Sequence, residues 1–205
     1  MYEGTTFTNN VAIGDRAGFA TTGNDNVIIG SEAGYYSYVA ADSVLIGHDA
    51  GRHATGSYNT FVGAAAGKGG TTSAPYSSGG SNVAVGYQAL LSNVTGFNNV
   101  AIGVNALYTN TASNNTAIGR DALKLSTADN CVAVGSLSLA ANTTGAANVA
   151  IGYGALNDNT TGNYNIAIGG GALDTNTTGD NNVAMGINAL TANTTADNNT
   201  AIGYD

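Results

Sequence analysis

The sequence has no tryptophan, one proline, one cysteine, two histidines and only five basic residues in 205 positions. A single cysteine, Cys131, cannot close an intramolecular disulfide, so cysteine usage leaves the redox compartment open. Two histidines and one cysteine give most metal and nucleophile chemistries no raw material. Five basic residues against 13 acidic ones, a net charge of −8, argue against nucleic acid or an anionic membrane as a charge-held partner. No apolar run reaches the ~18 residues needed to span a bilayer, and no charged-then-apolar signal segment opens the chain. Charged residues make up 9 %, against roughly 25 % in ordinary soluble domains. The 43 % hydrophobic content is nevertheless too high for a disordered polar tract. What fills the chain instead is 30 glycines, 27 asparagines and 25 threonines.

These residues are periodic. A hexapeptide resembling N-N-V-A-I-G recurs twelve times, closing at Gly14, Gly30, Gly47, Gly63, Gly86, Gly103, Gly119, Gly135, Gly152, Gly169, Gly186 and Gly203. Its spacing is 16 or 17 residues except for one step of 23. Such a period is the signature of a solenoid. We number the coils 1 to 12 by these anchor glycines. In each coil the third residue before the anchor (Val100) and the residue just before it (Ile102) share one strand face, and β-branched residues suit a pleated surface. These valine and isoleucine columns are expected inside. The residue between them faces the other way and is never polar: Ala12, Ile28, Leu45 and Phe61, then alanine from Ala84 to Ala201. A strand apolar on both faces expects cover on both faces.

The fold expected is therefore all-β, a parallel β-solenoid or β-roll of about twelve 16–17-residue coils. An asparagine column four residues before each anchor, broken only by Ser43 and Cys131, predicts a hydrogen-bonded side-chain ladder along the stack. The second half of each coil divides the chain. Ala-Gly follows the first four anchors (Ala17-Gly18 to Ala66-Gly67), and a small residue then Leu follows the next seven (Ala89-Leu90 to Ala189-Leu190). Adjacent Ala-Leu is not period two, and both are helix formers. Pattern alone leaves open a single helical turn there, where the early coils carry a second strand. The chain is read as Ala-Gly-type coils over 1–67, an inserted loop at 68–80 and Ala-Leu-type coils over 81–205. It ends at AIGYD, partway into a repeat, so continuation is expected.

N-N-V-A-I-G followed by Ala-Gly resembles the head repeats of YadA-like trimeric autotransporter adhesins. The later form, NNVAIGVNALYTNT at 98–111, looks like repeats of bacteriophage tail-fibre proteins. The resemblance covers nearly the whole chain and departs from the adhesin pattern in the longer coil and the Leu column. It implies β-roll coils stacked along a fibre, a homotrimer, an extracellular place on a virion tail fibre or bacterial surface, and attachment to a host or cell-surface glycan or protein. The contact between copies is expected along the alanine column, Ala84, Ala101, Ala117, Ala133, Ala150, Ala167 and Ala184, whose small side chains allow close approach.

Tyr35, Tyr36, Tyr38, Tyr58 and Tyr76 crowd the first 80 residues, where aromatic faces could receive sugars or protein; packing between coils is the competing explanation. With Lys68 and Pro75 of the inserted loop, Tyr35, Tyr36, Tyr38 and Tyr76 form the expected recognition surface. The insertion reads equally as a binding-face loop or as a splice between two repeat types. His48, Asp49, Arg52 and His53 are the densest ionisable group, but their spacing matches no recognised metal set, and a solvated coil edge is favoured. The Gly-Asn-Asp-Asn and Gly-Asp-Asn-Asn turns at 23–26 and 179–182 lack the clustered carboxylates of a calcium loop. No metal, cofactor or enzyme activity is expected, since the acids scatter singly through turns. A structural shaft whose recognition lies on other domains is the main alternative. Threonine-rich ice binding is a weaker one, because the threonines come as adjacent pairs in turns.

Overall fold

In the computed structural model, which describes residues 8–38, 40–70 and 77–205, the hexapeptide of every coil is a three-residue strand. Twelve strands, from β1 (Val11–Ile13) through β6 (Val100–Ile102) to β12 (Thr200–Ile202), form one parallel sheet in sequence order. Register follows the repeat: Val100 lies opposite Thr116, Ala101 opposite Ala117 and Ile102 opposite Ile118. It also carries across the 23-residue step, where Thr60, Phe61 and Val62 pair with Val83, Ala84 and Val85. The sheet therefore continues in register on either side of the insertion.

The anchor glycine is demanded twice over. Gly103 has φ +129°, a region L-residues rarely enter, and a Cβ there would lie 2.6 Å from the Gly119 carbonyl oxygen. Both the backbone angle and the approach of the next coil exclude a side chain.

The rest of each coil is turn. Among the described residues there is no helix and no second strand, only one isolated parallel bridge between Ala54 and Ser77. Both the helical turn and the early second strand are thus corrected. The physical reason lies at the fourth residue after each anchor, which is left-handed throughout: Gly34 at +55° and Gly51 at +57°, but also Leu90 at +54° and Leu107 at +49°. In that conformation its N–H reaches the next coil, as Leu107 N–H does to the Ala122 carbonyl at 3.0 Å. Backbone groups are satisfied between coils, so neither helix nor strand is needed.

The inner and outer faces are the reverse of those expected. Ala84, Ala101, Ala117, Ala133, Ala150, Ala167 and Ala184 are fully buried within the single chain, whereas Ile102 is 38 % exposed and Val100 half-buried. The alanine column therefore cannot be the contact between copies. A coil this short encloses little volume, and one large side chain fills it. In coils 2 to 4 that side chain comes from the strand (Ile28, Leu45, Phe61) and faces a left-handed glycine. From coil 5 onward the strand supplies alanine and the turn supplies the buried leucine (Leu90, Leu107, Leu123, Leu139, Leu156, Leu173). A Cβ on Gly51 would lie 2.6 Å from Leu45 Cδ2, so the two positions compete for one space.

Candidate functional site

In-register stacking turns residues of equal phase into columns on the surface. The phase that aligns V-A-I-G also aligns Phe19, Tyr35, Arg52 and Lys68, each five residues past its anchor, and beside them Tyr36 and His53. Their contacts follow that order. Phe19 stacks on Tyr35 with centroids 5.0 Å apart, and the Arg52 guanidinium lies 5.5 Å from the Tyr35 centroid. Tyr36 meets Tyr35 edge-on at 4.4 Å, stacks on His53 at 5.5 Å and reaches Tyr38 at 6.1 Å. A second column, two residues past the anchors, brings Arg16, Glu32 and Asp49 alongside.

An ion-pair network ties the two columns together. Arg52 Nη2 lies 2.8 Å from Glu32 and its Nη1 3.5 Å from Asp49. Lys68 Nζ lies 2.7 Å from Asp49, and Arg16 3.4 Å from Glu32. His53 is buried beside it, and burial together with the Arg52 and Lys68 charges lowers its pKa, against the pull of Asp49. Neutral imidazole is the favoured form. A cavity of about 610 Å³ opens next to the network, lined by both cations, Gln88, Ser92, Leu91 and Val94 among others.

Of the expected recognition residues, Tyr35 and Tyr36 are half-buried, Tyr38 is exposed and Lys68 is held by Asp49. Pro75 and Tyr76 lie outside the described residues. Tyr58 sits on a different column and joins no part of the cluster. The competing idea of packing between coils holds for Tyr35 and Tyr36. Glu32, Arg52 and His53 were not among the expected recognition residues, although their phase was present in the anchor spacing. His48 is exposed and 4.0 Å from Asp49; among the described residues no group of three or more potential ligands converges on a metal position. Cys131 is buried in the asparagine column, with its thiol 3.4 Å from the Gly145 carbonyl, and burial raises its pKa.

The second surface is the outer face of the sheet. Val85, Ile102, Ile118, Ile151, Ile166 and Met185 form an exposed apolar stripe, which Tyr87, Val104, Tyr153 and Ile187 widen on one side. The threonine pairs present less than a bare hydroxyl array. Thr127, Thr143, Thr160 and Thr177 each donate their hydroxyl to a carbonyl of the next coil. No protein-family model matches the sequence, and no curated protein or solved structure matches it. No helix of the described residues is long and apolar enough to cross a membrane.

Proposed function

We propose that this chain is a non-enzymatic segment of a surface-attachment fibre, outside the cell, whose copies associate side by side along the valine–isoleucine stripe. The exposed stripe is the observation that carries the reading. Eleven strand-to-strand steps of ~4.8 Å make a face roughly 53 Å long. With a width of about 10 Å from the three strand residues it offers about 500 Å², which Tyr87, Val104, Tyr153 and Ile187 widen locally toward the ~800 Å² each partner gives to a stable interface. Soluble monomers rarely leave so large a continuous apolar patch uncovered. A second copy of the chain brings the same flat, uncharged strand triplets, and the resemblance to adhesin heads and tail fibres puts the number of copies at three.

Recognition belongs, on this reading, to the aromatic and ionic face of coils 1 to 5, where exposed Tyr38 packs on Tyr36 and the Arg52 and Lys68 heads are held by Glu32 and Asp49. An array of host-surface glycans and proteins tests it. Binding by the full chain, reduced at least tenfold in Tyr38→Ala, is the expected result. Absence of binding by the full chain makes it a shaft.

A further inference from the structure

The cavity over coils 3 to 5 is lined by Arg52, Lys68, His53, Gln88, Ser92, Leu91 and Val94, with Ala65, Gly69 and Gly70, and, among the described residues, by no carboxylate. In a chain of net charge −8 with five basic residues, two cations on one cavity wall are a local inversion of sign. Glu32 and Asp49 hold the cations from outside the lining, and with Arg16 the network sets three cations against two carboxylates. The heads are fixed in place, and the charged groups that line the cavity itself are cations.

We propose that this cavity binds a carboxylate-bearing sugar, a uronate. Its volume falls within the roughly 300–1,000 Å³ of small-molecule sites. Arg52 and Lys68 take the carboxylate, Gln88 and Ser92 offer neutral partners to hydroxyls, and Leu91 and Val94 form an apolar wall for the C–H face of the ring. Gly70 keeps space open: among the described residues, a Cβ there would meet only Val94 Cγ2, at 3.5 Å. The inference rests on the attachment reading for its biological sense and names the ligand class of that same face.

The test is titration of the full chain with sodium glucuronate followed by amide NMR, with glucose as the neutral probe and acetate as the bare anion. Saturable shifts at Gly69, Gly70, Gln88 and Ser92 with glucuronate are expected, with glucose and acetate each at least tenfold weaker. Lys68→Met weakens glucuronate at least tenfold while Lys68→Arg retains it. Should Lys68→Met fail to fold, Gln88→Ala and the loss of affinity in 0.5 M salt carry the comparison. No saturable shift with glucuronate overturns the proposal, as does glucose binding equally well or acetate matching glucuronate. Glucuronate binding without attachment to any glycan surface removes the attachment reading and leaves the cavity. Surface attachment that survives Lys68→Met with glucuronate silent does the reverse.

Discussion

Leu107 and Gly51 occupy the same place in their coils and the same left-handed backbone, +49° and +57°. Only glycine adopts that conformation freely; for leucine it costs about 1 kcal/mol. The strain persists because the side chain fills a coil whose strand contributes only Ala101. Leu107→Gly relieves the strain but empties the space, for a net loss of about 2–4 kcal/mol. Ala101→Leu alone overpacks the coil by about 1–3 kcal/mol. The double variant recreates the Leu45/Gly51 arrangement and is expected within about 1 kcal/mol of the parent by urea denaturation. Additive losses would show that the two positions do not share one volume. His53 gives a second prediction. Its folded pKa is depressed, so the unfolded chain takes up a proton first as pH falls below about 6.5. The stability that neutral His53 contributes is complete above that pH and lost below it. The thermal midpoint should therefore drop more steeply from pH 7 to pH 5 in the parent than in His53→Gln, and equal slopes would contradict the assignment.

Among the elements, the asparagine column forms the expected side-chain ladder in part, Asn99 Nδ2 donating to Asn82 Oδ1 and Asn182 Nδ2 to Asn165 Oδ1, each at 3.1 Å, and a backbone relay runs beside it. The Asn82 side-chain oxygen accepts the Asn99 backbone N–H at 2.9 Å, and Asn99 passes the same bond to Asn115 at 3.0 Å. The side-chain amide of Asn99 donates to the Ala112 carbonyl at 2.9 Å. Ser43 keeps the relay going, its hydroxyl accepting the Asn59 N–H at 3.1 Å. A second ladder runs through the Asn-Thr-Thr-Gly turns at 142–145, 159–162 and 176–179. Asn142, Asn159 and Asn176 are buried, with Asn159 Nδ2 donating to Asn142 at 2.8 Å and to the Gly162 carbonyl at 3.0 Å. Asn159→Ala leaves buried groups unpaired and should cost about 1–3 kcal/mol. The exposed Thr161→Ala, in the same turn, should cost under about 0.5 kcal/mol; similar losses at both sites would remove the second ladder's structural role. The strands themselves were legible, because the V-A-I triplet ahead of each anchor glycine is the strand in every coil. The turn half was not: Ala-Leu carries no periodicity of its own, and its conformation is set by the N–H that Leu107 must deliver to the coil above.

For the whole molecule the decisive question is which face looks inward. Hydrophobic size suggested that Val100 and Ile102 fill the core and Ala101 meets another chain. Volume reverses this, since a 16–17-residue coil has room inside for Ala101, Ala106 and Leu107 and for little more. The signal lay in the sequence as an exchange, Ile28, Leu45 and Phe61 opposite glycine and then alanine opposite leucine, which marks two positions filling one space. The recognition face was half legible. Tyr35 and Tyr38 stand out as aromatics, and Asp49 and Arg52 as part of one ionisable group, while Glu32 reaches Arg52 and Lys68 reaches Asp49 only once coils are stacked in register. Light scattering with circular dichroism on two paired variants tests the orientation most directly. Ile102→Asp/Ile118→Asp is expected to give a folded monomer from an assembled parent, and Ala101→Asp/Ala117→Asp an unfolded chain. A folded monomer from the alanine pair, with loss of fold in the isoleucine pair, would contradict the account.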